Sequence, residues 1–102
     1  SSQLEKARES ADAGNIRAKY AEAMVKLIDG ETDFSSDDWT VPMTQGQDGW
    51  QNSDISTGLG NLVSSEGIVV EFSPKVDDVK AGGNAVFSYS SGTGQKLTIT
   101  FS

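Results

Sequence analysis

The chain has 102 residues, with fifteen acidic against eight basic side chains and a net charge of −7. That length bounds it to about one domain with a modest core, and the acidic balance argues against broad nucleic-acid binding, which rests on Lys and Arg. The chain contains neither cysteine nor histidine, which excludes disulfide stapling, the Ser-His-Asp arrangement and the commonest zinc ligand.

The first predicted element organises the rest. Residues 4–28 read LEKARESADAGNIRAKYAEAMVKLI, free of proline and dense in Ala, Glu, Lys and Arg, all strong helix formers. Leu4, Ala7, Ala11, Gly14, Ala18, Ala21, Val25 and Ile28 recur at intervals of three and four, so they form one stripe along a helix roughly 37 Å long. From Ile16 onward a second set joins them: Ile16, Tyr20, Met24 and Leu27. Together with Ala21, Val25 and Ile28 this set predicts a broad apolar face packed on a core, with Lys19, Glu22 and Lys26 on the opposite side. Before Ile16 the stripe is thin and flanked by Glu5, Lys6, Arg8, Glu9 and Asp12. Residues 1–15 therefore read as a projecting stalk, or else as solvated turns held by local pairs such as Arg8 with Asp12, and residues 16–29 as the part packed on a sheet.

Gly30 is placed to close the helix. Asp29, Glu31, Asp33, Asp37 and Asp38 follow, five acids in ten residues with no base. Asp29, Glu31 and Asp33 alternate loosely as in a calcium loop. The glycine and glutamate that an EF-hand requires further on are replaced by Phe34 and Thr40. Calcium is thus the one candidate cofactor, set against a solvated acidic loop. Residues 30–66 form a connecting region with both tryptophans. Pro42 argues against a central strand there, and short extended pieces are expected near Trp39–Val41 and Leu62–Val63. Trp39 and Trp50 are either pins that fix the loop or a stacking surface for sugars.

Residues 67–102 change to period two. Ile68, Val70 and Phe72 alternate with Val69 and Glu71. Ala85, Phe87 and Tyr89 alternate with Val86, Ser88 and Ser90. Leu97, Ile99 and Phe101 alternate with Lys96, Thr98 and Thr100. Gly92-Thr93-Gly94 between the last two runs predicts a hairpin, with Tyr89 opposite Leu97 and Phe87 opposite Ile99. The expected fold class is α+β: a long N-terminal helix packed on a small antiparallel sheet. No phosphate-cradling loop, metal-protease motif or nucleophile elbow occurs, and the carboxylate pairs sit in loops, so no enzymatic activity is expected.

The run EKARESADAGNIRAKYAEAMVKL resembles the stalk-to-globule helix of type IV pilins, particularly those of Gram-positive bacteria. The likeness lies in the small and charged stretch Lys6 to Asp12, the Asn15-Ile16-Arg17 turn and the Tyr20-Ala21-Glu22 turn. It covers about a quarter of the chain; the remainder is similar only in layout. The C-terminal disulfide of many Gram-negative members is missing here. The resemblance implies a leader and an apolar membrane-anchoring segment ahead of Ser1, so that this chain is a processed or truncated piece. It implies a cell-surface filament subunit that assembles with its own copies and with other pilins, Leu4, Ala7, Ala11 and Gly14 forming the assembly interface. Adhesion, twitching motility or DNA uptake would then be properties of the filament. The alternatives are a minor pilin or tip-binding module using the Trp39–Ser64 loop, a competence or secretion pseudopilin, and, outside the family, a generic extracellular acidic binding domain.

Overall fold

The computed structural model describes residues 2–62 and 66–102. Helix α1 runs Ser2–Ile28, followed by a 3-10 turn at Asp37–Trp39 and strand β1 at Thr40–Pro42. Helix α2 (Ser53–Gly60) precedes strands β2 (Val69–Ser73), β3 (Asn84–Ser90) and β4 (Lys96–Phe101), with a second 3-10 turn at Val76–Asp78. The architecture is α+β, with α1 packed on one face of a four-stranded sheet of order β1-β3-β4-β2.

Helix α1 ends where glycine permits it. Gly30 has φ 83°; its amide donates to the Leu27 carbonyl, and the Glu31 amide donates to that of Lys26. This crossed pair of bonds is the Schellman closure. The β3–β4 hairpin has the expected register: Phe87 faces Ile99 and Tyr89 faces Leu97. β1 is an edge strand paired only with β3, which is where Pro42, lacking an amide to donate, fits.

The sheet is mixed, correcting the antiparallel expectation. β2 pairs parallel with β4, Val70 beside Leu97 and Phe72 beside Ile99. β2 and β3 are not neighbours; β4 lies between them. Because β4 runs antiparallel to β3, a β2 that also opposes β3 must run with β4. Alternation in a sequence assigns faces, not neighbours, so this ordering left no mark in the residues. The faces themselves are as expected: Ile68, Phe87, Leu97, Ile99 and Phe101 are buried, with Val70, Phe72 and Tyr89 half-buried against them. Phe72 and Phe101 stack at 5.6 Å.

α1 contributes Ile16, Met24 and Leu27 to this core, with Tyr20 packed at its edge. Ala13 and Ala23 are fully buried between them. Ala21, Val25 and Ile28 are not part of this face. All three are exposed, Val25 at 61% and Ile28 at 56%. At about 100° per residue they lie well round the helix from Leu27, so only one of the two apolar sets can face inward, and the sheet takes the bulkier one.

Helix α2 stands within what was expected to be a long irregular connection. Asn52 caps it by accepting from the Asp54 amide, and Ile55 and Leu59, one turn apart, are buried. Gly58 and Gly60 lower its intrinsic propensity. Its stability comes instead from the cap and those two anchors. Gly58 is also where α2 meets α1: a Cβ there would lie 2.8 Å from the Arg17 guanidinium. Val63, the end of the other expected extended piece, lies outside the described residues.

Candidate functional site

The first half of α1 does not project freely. Its inward face carries Glu5, Glu9 and Asp12, spaced four and three apart, and all three are buried. Opposite them runs the loop from Thr44 to Asn52, whose backbone amides have no sheet to join. Asp12 accepts from the Thr44 amide (2.9 Å), the Thr44 hydroxyl (2.7 Å) and the Gln45 amide (2.9 Å). Glu5 accepts from the amides of Gly46 and Gln47. Glu9 Oε1 accepts from those of Gln51 and, at 3.4 Å, Asn52. Charged acceptors on backbone amides are among the stronger hydrogen bonds, so three carboxylates strap the loop to the helix where apolar area is scarce. Gln45 reinforces the loop from inside, its amide nitrogen donating to the carbonyls of Gln47 and Gly49. Glu9 Oε2 and Gln45 Oε1 are buried without a protein partner among the described residues; buried acceptors of this kind are ordinarily met by water.

Burying the acids inward has an outward consequence. Leu4, Ala7, Ala11, Gly14, Ala18, Ala21, Val25 and Ile28 all lie on the exposed face of α1. A surface helix ordinarily turns charge to solvent and apolar residues inward. Over its first half α1 does the reverse, with carboxylates inside and Leu, Ala and Gly outside. The stripe runs the length of the 27-residue helix, in a molecule whose longest dimension is 43 Å. The four proposed assembly residues Leu4, Ala7, Ala11 and Gly14 are thus on one face and available to a partner. Gly14 has no packing reason inside the chain, since a Cβ there would meet nothing within 4 Å. Gly14→Ala is accordingly expected to stabilise this chain by about 0.5–1 kcal/mol, seen as a raised denaturant midpoint with unchanged slope.

The two tryptophans are anchors. Trp50 donates its indole N–H to the Val76 carbonyl at 2.8 Å and sets its ring edge against Phe101. Trp39 packs on Phe34 at 4.6 Å, with the ammonium groups of Lys19 and Lys26 at 5.2 and 5.7 Å from its ring centre. Lys19 and Lys26 are therefore partly covered and do not form a separate solvated face. Trp39 and Trp50 stand at different places, one against Phe34, which in turn lies beside Tyr89, the other against Phe101.

Asp29, Glu31 and Asp33 are exposed, and the last two have separate partners. Glu31 pairs with Lys26 at 3.5 Å. Asp33 accepts from the hydroxyl and amide of Ser35. Those two bonds, the hydroxyl first, hold the Asp33 carboxyl below its usual value, with a small opposing effect of burial and help from Lys26. A depressed folded value means that the contribution is present above the usual Asp pKa and lost as pH falls through the folded one. Among the described residues no three acidic groups converge as metal ligands.

No protein-family model matches the chain, and neither a curated protein nor a solved structure does. Among the described residues no helix is long and apolar enough to cross a membrane. The feature that residue-by-residue reading missed is the carboxylate strap. Its signal was present: Glu5, Glu9 and Asp12 keep the same three-four spacing as the apolar stripe, one face away, and the loop they hold is rich in Gly, Gln and Asn.

Proposed function

We propose that this chain belongs to a filament subunit of the type IV pilin kind, on the outer cell surface, assembling through α1 with copies of itself and with related subunits. One observation carries the proposal: an uninterrupted exposed stripe of Leu, Ala, Gly, Val and Ile along the whole of α1. Small side chains let helix axes approach toward the near end of the usual 8–10 Å separation. A glycine with empty space around it costs helix stability and returns nothing within its own chain. Both features make sense when a second helix lies against the stripe. The resemblance of residues 5–27 to the pilin helix points the same way; in that family the driving apolar area lies in a segment that precedes the stalk. The strap has a role in this reading: it fixes the loop on the inward side, leaving the outward side clear.

Filaments sheared from the source cells are expected to contain this chain as an integral component, detected by peptide mass spectrometry. In the full-length protein, Ala11→Leu with Gly14→Leu is expected to reduce surface filaments severely. The same pair should leave the folding of this chain within about 0.5 kcal/mol of wild type or slightly better, as for exposed positions generally. Normal filaments from the double variant would overturn the assignment.

A further inference from the structure

We infer that the outer edge of β2 is a docking site for an extended peptide segment of another protein, one that alternates apolar with basic residues and adds a fifth strand to the sheet. The two edges of this sheet are unlike. β1 is three residues long and ends on Pro42, which blunts it against further pairing. β2 has five residues, no proline and no lysine, and keeps a regular register with β4 from Val69 to Ser73. In a parallel pair, alternate residues of a strand turn their backbone groups to the neighbour. The Val69 amide donates to the Gln95 carbonyl at 2.9 Å. Val69, Glu71 and Ser73 therefore face β4, and the amides and carbonyls of Val70 and Phe72 point out of the sheet. Among the described residues these four groups have no partner. Such a row of alternating donors and acceptors is matched by the backbone of an added strand.

The side chains along the edge define the guest. Val70 and Phe72 lie on the core face, half-buried, with Phe72 stacked on Phe101. Apolar residues at alternate guest positions extend the core beside both. On the other face Val69 is exposed, and Glu71 pairs with Lys96 through Oε2 at 2.9 Å. Glu71 Oε1 has no ion-pair partner among the described residues. From Glu66 to Asp78 the chain holds four acids, Glu66, Glu71, Asp77 and Asp78, against one base, Lys75. Asp77 accepts from the Ser56 hydroxyl of α2, whose first turn adds Asp54. Acidic charge thus continues past the end of the strand, and a guest with basic residues complements it. A second copy of this chain does not. With β2 antiparallel to β2, the register of full overlap pairs Val70 with Phe72 and sets Glu71 against Glu71, a destabilising like-charge pair, between molecules that each carry −7.

The test is amide hydrogen exchange, read by NMR on the 102-residue chain. In the free chain the amides of Val70 and Phe72 should exchange faster than those of Glu71 and Ser73, which β4 holds. The probe is an end-blocked peptide of about seven residues, an ordinary strand length, with valine at alternate positions and lysine and threonine between. At about 1 mM, where contacts of millimolar Kd are populated, it should slow exchange at Val70 and Phe72 and leave Glu71 and Ser73 as they were. The same peptide with glutamate for lysine should bind roughly fivefold more weakly, the effect of a good exposed ion pair. Glu71→Lys should narrow that preference, with unchanged amide shifts in β3 reporting that the variant is folded. Three results would each overturn the inference: Val70 and Phe72 amides as slow as Glu71 and Ser73 in the free chain, no protection by the basic peptide, or equal affinity for the acidic one. Protection at Val70 and Phe72 that grows with chain concentration in the absence of peptide would give the edge to a second copy and overturn it likewise. The α1 stripe takes no part in these readings, so assembly through α1 stands or falls separately.

Discussion

Ile99→Ala is expected to cost about 2–5 kcal/mol of folding stability, the range for removing a fully buried large aliphatic side chain. Ile99 has no exposed surface and sits mid-strand in β4, beside Phe87 of β3 and Phe72 of β2. β4 is flanked on both sides and cannot swing into the space left behind, so the upper part of the range applies. A chain of this size has about 5–15 kcal/mol in all, so the loss is a large fraction of the total and will lower the denaturant midpoint accordingly. Val69→Ala is the control: Val69 is 53% exposed on the outer edge strand and should cost little. Equal losses at the two positions would mean that the face assignment of the sheet is wrong.

The contrast shows which parts of the fold could be read from residue order. Strand faces follow from alternation, and the hairpin register followed from Phe87, Tyr89, Leu97 and Ile99 around a glycine-rich turn. The helix end followed from Gly30. What could not be read is the partner each face chooses. Leu27 and Ile28 are both large and apolar, and only the tertiary fit places the first in the core and the second in solvent. Glu5, Glu9 and Asp12 looked like a solvated surface because charge is ordinarily external. Their burial depends on a loop more than thirty residues away, whose free amides are invisible until the chain is folded. The candidate interface Leu4, Ala7, Ala11 and Gly14 was legible as a stripe. Its neighbours Ala21, Val25 and Ile28 were expected inside, and their exposure, with that of Ala18, extends that stripe along the whole helix.

Asp12→Ala should have the second large effect, and it separates a strap from an ordinary surface acid. The substitution removes the acceptor for three donors, the Thr44 amide and hydroxyl and the Gln45 amide. Hydrogen bonds to a charged group contribute about 1.5–3 kcal/mol each, and a buried donor left bare loses about 1–3. A simple sum would exceed what is lost, because the loop has an alternative: it can lift from α1 and give its amides to water. The expected cost is therefore bounded by the free energy that docks the strap, about 2–4 kcal/mol on these magnitudes. Hydrogen exchange distinguishes the two modes. Lifting predicts faster exchange at the amides of Thr44, Gln45, Gly46 and Gln47, while Phe87 and Ile99 keep theirs to within the global change. Asp12→Asn retains one acceptor oxygen and should recover part of the loss; the exposed neighbour change Ser10→Ala should do nothing. If Asp12→Ala instead leaves the loop amides as protected as before, the carboxylates do not hold the loop. The inward turn of charge, and with it the apolar outward face of α1, would then need another cause.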